Sequence, residues 1–149
     1  MKTHRSRPCR LVCWLIFVLL VVAPGVRAGC TVSAAGVAFG NYDVFSSEAL
    51  TGAGDINVVC TPISSYTVSL SAGGGSYSQR ELSSGSNVLS YNLYTHGGYT
   101  VIWGDGTGGT STVGGNGEDV HHTVHGRIPA LQNVPAGSYT DTIVVTVTF

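Results

Sequence analysis

The feature that most constrains the fold is the alternation of apolar and polar residues within short segments, most evident in residues 138–149, SYTDTIVVTVTF. The apolar positions of this segment, which alternate with threonines except at Val144, are Ile143, Val145, Val147 and Phe149. A period of two residues predicts a β-strand with one buried face. Chain ends are more often polar and frayed, so the segment raises the question of what covers its apolar edge.

The rest of the chain repeats this pattern and lacks the apolar spacing of three and four residues that is typical of a helix. Segments such as DINVVC, SSYTVSLSAG, NVLSYNLYTH and HHTVHGRIPA are separated by turns rich in glycine and serine. We predict an all-β domain of seven or eight short antiparallel strands, in a sandwich or barrel. Residues 104–119, GDGTGGTSTVGGNGED, are predicted to form a loop of low complexity.

Residues 1–28 have the three parts of a secretory signal peptide: a basic start, the apolar run LVCWLIFVLLVVA, and a cleavage site of small residues. The run is shorter than the roughly twenty residues that a membrane span needs. We therefore predict cleavage after Ala28, an exported domain at residues 29–149, and no membrane span once the signal is removed. The alternative is a lipoprotein signal ending at Cys30, but Arg27 stands where that signal needs an apolar residue.

The charge that remains after this cleavage excludes two classes of partner. Only Arg80 and Arg127 remain as basic side chains, beside eight acidic ones, so the balance is about −6. Nucleic-acid binding requires a basic footprint, and so does an anionic membrane surface. Because the acids are scattered along the chain, their pattern is typical of a solvated surface.

The cysteines that remain, Cys30 and Cys60, are predicted to form a disulfide. Two cysteines in an exported chain most often pair, and no histidine lies between them to complete a zinc site. The bond would close a loop of about thirty residues, which stabilises the folded state by about 3–4 kcal/mol on the chain-entropy account.

Three motifs are typical of ligand sites, but each is better explained as a loop or strand. GDGTGG has the spacing of a dinucleotide fingerprint, yet the following TSTVGG cannot open the helix that would hold the phosphate. GGNGEDVHH is a single copy of a calcium-binding repeat that works only when stacked. The histidines of HHTVH are His121, His122 and His125. On a strand the first two point to opposite faces, so we predict an exposed or interface role for them and no metal site.

The sequence favours no enzyme class. It contains no G-x-S-x-G elbow, no evident pair of carboxylates and no nucleophile beside a base. We therefore predict a protein without catalytic activity and without a cofactor. A binding role stays open for the surface near residues 104–119, where the candidate contact residues are Tyr99, Trp103, His121, His122 and His125.

Four segments, in their order and spacing, resemble the spore coat protein U domain. They are CTVSAAGVAFGNYD, YNLYT, VIWGDGTGGTSTV and GRIPALQNVPAGSYTDTIVVTVTF, and the last of them is the most specific. The resemblance covers essentially all of residues 29–149. The family includes myxobacterial spore coat protein U and subunits of archaic, Csu-type chaperone–usher pili.

The resemblance implies an incomplete immunoglobulin-like β-sandwich that lacks its last strand and is completed by donor-strand addition. It implies a periplasmic pilus chaperone, an outer-membrane usher and other pilus subunits as partners. It also implies that Cys30 and Cys60 pair between the first strands. The implied groove and chaperone-contact residues are Tyr139, Ile143, Val145, Val147 and Phe149, with the carboxylate of the last as the chaperone's anchor.

The function implied is that of an exported structural subunit of a surface fibre, which passes through the periplasm to the cell surface and serves adhesion and biofilm formation. Only Gly29 lies between the predicted cleavage site and Cys30, so we expect a tip or non-donating subunit. The alternatives are a structural protein of a spore or cell coat and a module that binds a surface or a carbohydrate.

Overall fold

The structure is a computed structural model that describes residues 29–149. The predicted signal peptide, residues 1–28, lies outside the described residues. Within residues 29–149 all regular structure is β-strand, and no helix there is long and apolar enough to cross a membrane. The prediction of an all-β domain is confirmed.

Six antiparallel strands form one curled sheet. They are β1 (Gly29–Ala38), β2 (Leu50–Leu70), β3 (Arg80–Ser84), β4 (Asn87–Tyr94), β5 (Val113–Ile128) and β6 (Val145–Thr148). The order across the sheet is β1-β2-β5-β4-β3, and β6 pairs separately with β2. The long strands β2 and β5 pair with each other along most of their length, and the other strands are arranged on either side of this pair.

The structure has six strands and not seven or eight, and two differences from the expected elements stand out. DINVVC and SSYTVSLSAG both belong to β2, which passes through a register shift between Val59 and Ser64. The strand β5 begins at Val113, inside the segment predicted as a loop. Its glycines form a strand because β2 supplies a partner. The ring of Tyr66 lies over Gly115, in space that a side chain at that position would need.

The core lies on the face of the sheet to which alternate residues of β2 point. Ile56, Val58 and Cys60 are buried in the first half of β2, and Tyr66, Val68 and Leu70 are buried in the second half. Strands β4 and β5 and one loop complete the core with Leu89, Tyr91, Leu93, Val124, Ile128 and Trp103. The period-two alternation predicted from the sequence therefore accounts for the buried face of β2.

Trp103 belongs to this core and not to a contact surface, so its assignment to the surface-binding loop is wrong. Its side chain is 1% exposed. The indole Nε1 donates a hydrogen bond to the backbone oxygen of Val68 at 3.0 Å, and the backbone N–H donates to Leu93 at 2.9 Å. Because a buried indole needs an acceptor for its N–H, these contacts fix the chain at the start of residues 104–112 against β2 and β4.

A buried arginine at the start of β3 connects the strand ends. The guanidinium of Arg80 donates to the backbone oxygens of Ser71 and Trp103, each at 2.8 Å, and to Oδ1 of Asn92 at 2.6 Å. Burial lowers the pKa of Arg80 from its ordinary value. Since neutral acceptors satisfy its donors, the side chain ties β3, β4 and the end of β2 together without a direct ion pair.

The predicted disulfide is confirmed. Cys30 on β1 lies directly opposite Cys60 on β2, and the S–S distance is 2.07 Å. The Cys60 side chain is fully buried. The bond therefore joins the first strand to the core, across a sequence separation of 30 residues.

Replacement of both cysteines tests the contribution of this bond. The Cys30→Ser/Cys60→Ser double variant is expected to have a free energy of unfolding lower by about 3–4 kcal/mol, because its unfolded chain is no longer closed into a loop. Denaturant unfolding of the oxidised protein and the variant measures the difference. Reduction of the unmodified protein is the matched control, and an unchanged unfolding midpoint in both would contradict the prediction.

Candidate functional site

Strands β1 and β6 share one edge of β2. Residues 29–38 pair with residues 53–61 of β2, and residues 145–148 pair with residues 67–70, while β5 occupies the other edge of β2. Neither β1 nor β6 pairs with a second strand within the described residues. Each of them therefore presents one unpaired backbone edge.

The backbone of β6 shows which groups are free. The N–H of Ser71 donates to the oxygen of Val144 at 2.9 Å, so hydrogen-bonded pairs continue at every second residue along the ladder. The N–H and C=O groups of Thr146 consequently face β2, whereas those of Val145 and Val147 point away from it. These outward groups are donors and acceptors for a further strand.

The side chains of β6 show that the core is incompletely covered beside this edge. Val145 and Val147 lie opposite Leu70 and Val68, both of which are buried. Paired residues point to the same face of a sheet, so both β6 valines face the core, yet they remain only half-buried. Val144, on the other face, is 60% exposed.

The core-facing side of β1 is more open still. Val32 lies opposite Val58, which is fully buried, and Ala34 lies opposite Ile56, which is 2% exposed. Val32 itself is 43% exposed, and Ala34 is exposed as well. The sheet therefore has apolar side chains on its inner face along β1 that nothing within residues 29–149 covers.

An open groove of about 1020 Å³ reaches the core between two segments of the chain. Residues 37–45, at the end of β1 and beyond it, line one part of the groove, and residues 134–141 line another. The buried core residues Leu89 and Ile128 form part of its floor. The groove is large enough and apolar enough to receive the side chains of an extended segment.

Asp141 holds one wall of this groove in place. Its carboxylate accepts hydrogen bonds from the hydroxyl of Tyr91 at 2.6 Å, from the N–H of Gly74 at 2.9 Å and from the N–H of Thr142 at 2.7 Å. Burial, followed by the hydrogen bond to Asp141, raises the pKa of Tyr91. The carboxylate therefore connects the chain before β6 to β4 and to the loop before β3.

Gln132 holds the chain that leads into the same wall. Its side-chain amide accepts from the N–H of Ser90 and donates to the oxygen of Ser90, each at 2.8 Å. The hydroxyl of Tyr42 donates to the oxygen of Pro129 and accepts from the N–H of Gln132, again at 2.8 Å. Sequence reasoning missed both side chains, although Gln132 lies in the most specific segment of the resemblance.

The structure places the predicted groove residues at different points of this arrangement. Tyr139 lines the groove, and its hydroxyl donates to the oxygen of Pro135 at 2.9 Å. Ile143 packs against the core beside the two β6 valines, outside the lining of the groove. The side chain of Phe149 is 59% exposed. The predicted set thus follows one continuous path, from the groove wall along β6.

The predicted contact residues of the surface loop do not form one site. His121 is exposed and lies 2.8 Å from the carboxylate of Asp55. His122 points to the other face of β5, where its Nε2 lies 2.9 Å from the hydroxyl of Tyr66. His125 packs edge-on against Tyr99 at 6.5 Å between ring centroids. Within residues 29–149 no three histidine, cysteine, aspartate or glutamate side chains are grouped so that they could hold a metal ion.

This chain is similar in sequence to a known protein family and to one of its members. The protein family described as "Spore Coat Protein U domain" matches residues 16–146. The chain is 35% identical over 125 residues to "Protein U" of Myxococcus xanthus, and the alignment covers 74% of this chain and 70% of that protein.

Among solved structures, the fold is similar to a chain of the CsuC–CsuE chaperone–tip adhesion subunit pre-assembly complex from archaic chaperone-usher Csu pili of Acinetobacter baumannii. The TM-score is 0.62 and the sequence identity 24%. The match covers 83% of this chain but only 40% of the matched chain, so this chain spans less than half of its length. At this identity the match concerns the fold alone, and it agrees with the predicted immunoglobulin-like β-sandwich.

The position of His122 predicts a loss of stability in acid. Burial is the largest cause that lowers its pKa from the ordinary value of 6.5. A histidine with a lowered pKa binds its proton more weakly in the folded than in the unfolded state, so its contribution is fully present above about pH 6.5 and lost as the pH falls below it. The unfolding free energy should therefore fall between about pH 7 and pH 5, and less steeply in His122→Gln.

Denaturant unfolding at several pH values measures these slopes. His96→Gln, which removes an exposed histidine that is not among the groups acting on the charge of His122, is the matched control. Equal slopes for His122→Gln and the unmodified protein would show that this side chain has no part in the acid sensitivity.

Proposed function

Because this chain belongs to the spore coat protein U domain family, we propose that it is an exported structural subunit of a surface fibre of the archaic chaperone–usher type. One observation carries the proposal. The unpaired backbone edge of β6 lies beside core-facing valines that are only half-buried. Such an edge accepts an added β-strand, whose backbone supplies hydrogen bonds and whose alternate side chains fill the apolar gap.

The area left uncovered supports a dependence on a partner. Full burial of four or five apolar side chains is worth about 8–12 kcal/mol as an upper bound. A typical domain has a total stability of about 5–15 kcal/mol. The donor strand would therefore contribute a large share of the stability of the completed domain.

The proposed partners follow the order of assembly. A periplasmic chaperone covers the edge of β6 first, and the structural neighbour, which is a chaperone–subunit pre-assembly complex, supports this step. An outer-membrane usher and a strand from another pilus subunit follow. The proposed contacts of this chain are Tyr139, Ile143, Val145, Val147 and Phe149. The protein would then pass from the periplasm to the cell surface, in a structural and not a catalytic role.

A tip or non-donating position in the fibre stays a proposal. The pairing of Gly29–Ala38 with β2 supports it, because these residues complete the chain's own sheet and are not free to enter a neighbour. A purified subunit that assembles by itself into linear fibres through its natural N-terminal residues would contradict this position.

A structural role in a spore or cell coat is the second candidate. The observation in its favour is the 35% identity to Protein U, of which this chain covers 70%. The two candidates differ in assembly. A fibre subunit requires a chaperone and an usher to reach the surface, whereas export of a stable protein in cells without either would favour the coat.

Hydrogen exchange along β6 tests whether a strand is added at this edge. In the free subunit the N–H groups of Val145 and Val147 should exchange quickly, while that of Thr146, which faces β2, should be protected. After co-purification with a candidate periplasmic chaperone the two valine amides should become protected, because they now pair with the added strand. Thr146 is the internal control. Valine amides that exchange at the same rate in the free subunit and in the complex would place the chaperone elsewhere.

A pair of substitutions on adjacent residues tests the apolar face. Val145→Asp places a charge on the core-facing side and should weaken capture by the chaperone by about 10- to 100-fold. Val144→Asp makes the same chemical change on the exposed side and should leave capture within about threefold. The amount of chaperone that co-purifies with each variant measures the difference. Circular dichroism checks that each variant is folded. Equal capture by the two variants would contradict the proposed face.

A further inference from the structure

A second cavity, of about 500 Å³, shares no lining residue with the groove. It lies where the chain before β2 meets the chain before β3 and the adjoining parts of β4 and β5. Its volume is within the range of roughly 300–1,000 Å³ that is usual for small-molecule sites. Most of its lining residues are polar, in contrast to the groove.

Two opposite charges line this cavity without an ion-pair partner. They are Glu48, before β2, and Arg127, near the end of β5. Both ion pairs within residues 29–149 include His121, and neither includes Glu48 or Arg127. Of the two arginines in the described part of the chain, Arg80 is buried, so Arg127 is the exposed guanidinium there. The cavity thus offers an acceptor-only carboxylate and a donor-only guanidinium that no other charge neutralises.

An aromatic pair fixes the guanidinium. Its central carbon lies 5.5 Å from the ring centroid of Tyr99, which in turn packs edge-on against Tyr94 at 5.5 Å. Tyr99 has a φ of 53°, a left-handed conformation that costs a tyrosine about 1–2 kcal/mol. Since a strained residue is retained where the surrounding structure determines it, the turn that ends at Tyr99 holds its ring over Arg127. Tyr94 itself lines the cavity.

Two polar residues of the lining, Ser90 and Asn92, are already held by internal hydrogen bonds. The amide of Gln132 occupies both backbone groups of Ser90. The side chain of Asn92 accepts from Arg80 and donates to the backbone oxygens of Tyr77 and Ser78. These bonds hold Ser90 and Asn92 in place, so a ligand would meet these two residues without a large cost of ordering them.

We propose that this cavity binds a neutral saccharide. A hydroxyl group both donates and accepts hydrogen bonds, so the hydroxyls of a saccharide suit both the acceptor Glu48 and the donor Arg127. An anionic ligand would be repelled by Glu48 and by the balance of about −6 on residues 29–149, and a cationic one by Arg127. The ring of Tyr94 supplies the apolar surface that a sugar face packs against.

Titration with defined oligosaccharides tests this site. The probes are hexaoses of glucose, galactose and N-acetylglucosamine, with hexagalacturonate as the anionic comparison, added to the exported protein and followed by calorimetry or nuclear magnetic resonance. At least one neutral hexaose should bind saturably and more tightly than hexagalacturonate. Arg127→Gln and Glu48→Gln should each weaken that binding by about tenfold or more, because each leaves polar groups unpaired.

Glu118→Gln is the matched control, since Glu118 is an exposed acid on β5 outside the cavity lining, and its binding should be unchanged. Circular dichroism of each variant checks folding. No saturable binding of a neutral hexaose, tighter binding of hexagalacturonate, or binding that survives both cavity substitutions would overturn the proposal. The site does not depend on the proposed fibre role, because these measurements need neither chaperone nor usher.

Discussion

The structure depends on the rule that a β-strand has two edges and that each edge pairs with one neighbour at a time. In β2 one edge is occupied by β5 along most of the strand, and the other is divided between β1 and β6. Both short strands are therefore the last of their part of the sheet. Their backbone groups and core-facing side chains stay open together, because the strand that would complete the hydrogen bonds would also cover the core.

Much of the fold could be predicted because its signals are local. Alternation identified β2 and the apolar path along β6, and the cysteine count identified the disulfide. The long form of β5 could not be predicted in this way, since a glycine-rich segment has little strand preference of its own and depends on Tyr66 covering Gly115. Trp103 was misplaced for a similar reason. An aromatic residue followed by glycines is typical of an exposed loop, and only the tertiary fold brings the oxygen of Val68 within reach of its indole.

The groove was predicted in part, because one of its walls has no periodic pattern. Tyr139 belongs to an alternating segment, whereas the opposite lining at residues 37–45 is irregular and is held by Tyr42. The wall before β6 is fixed by side chains that take the place of a neighbouring strand: Gln132 binds the backbone of Ser90, and Asp141 binds Gly74. Because these bonds do not use the outward edge of β6, a strand can be added there without any of them being broken.

The same alternation that builds the core also separates the two proposed sites. Successive residues of a strand point to opposite faces. On β5, Ile128 lines the groove while Arg127 lines the polar cavity, and on β4, Leu89 and Ser90 are divided in the same way. A strand that enters the groove therefore contacts Leu89 and Ile128, and a ligand in the cavity contacts Ser90 and Arg127 on the opposite face. A subunit built like this can be joined to its neighbours through the inner face while the polar cavity on the outer face stays accessible.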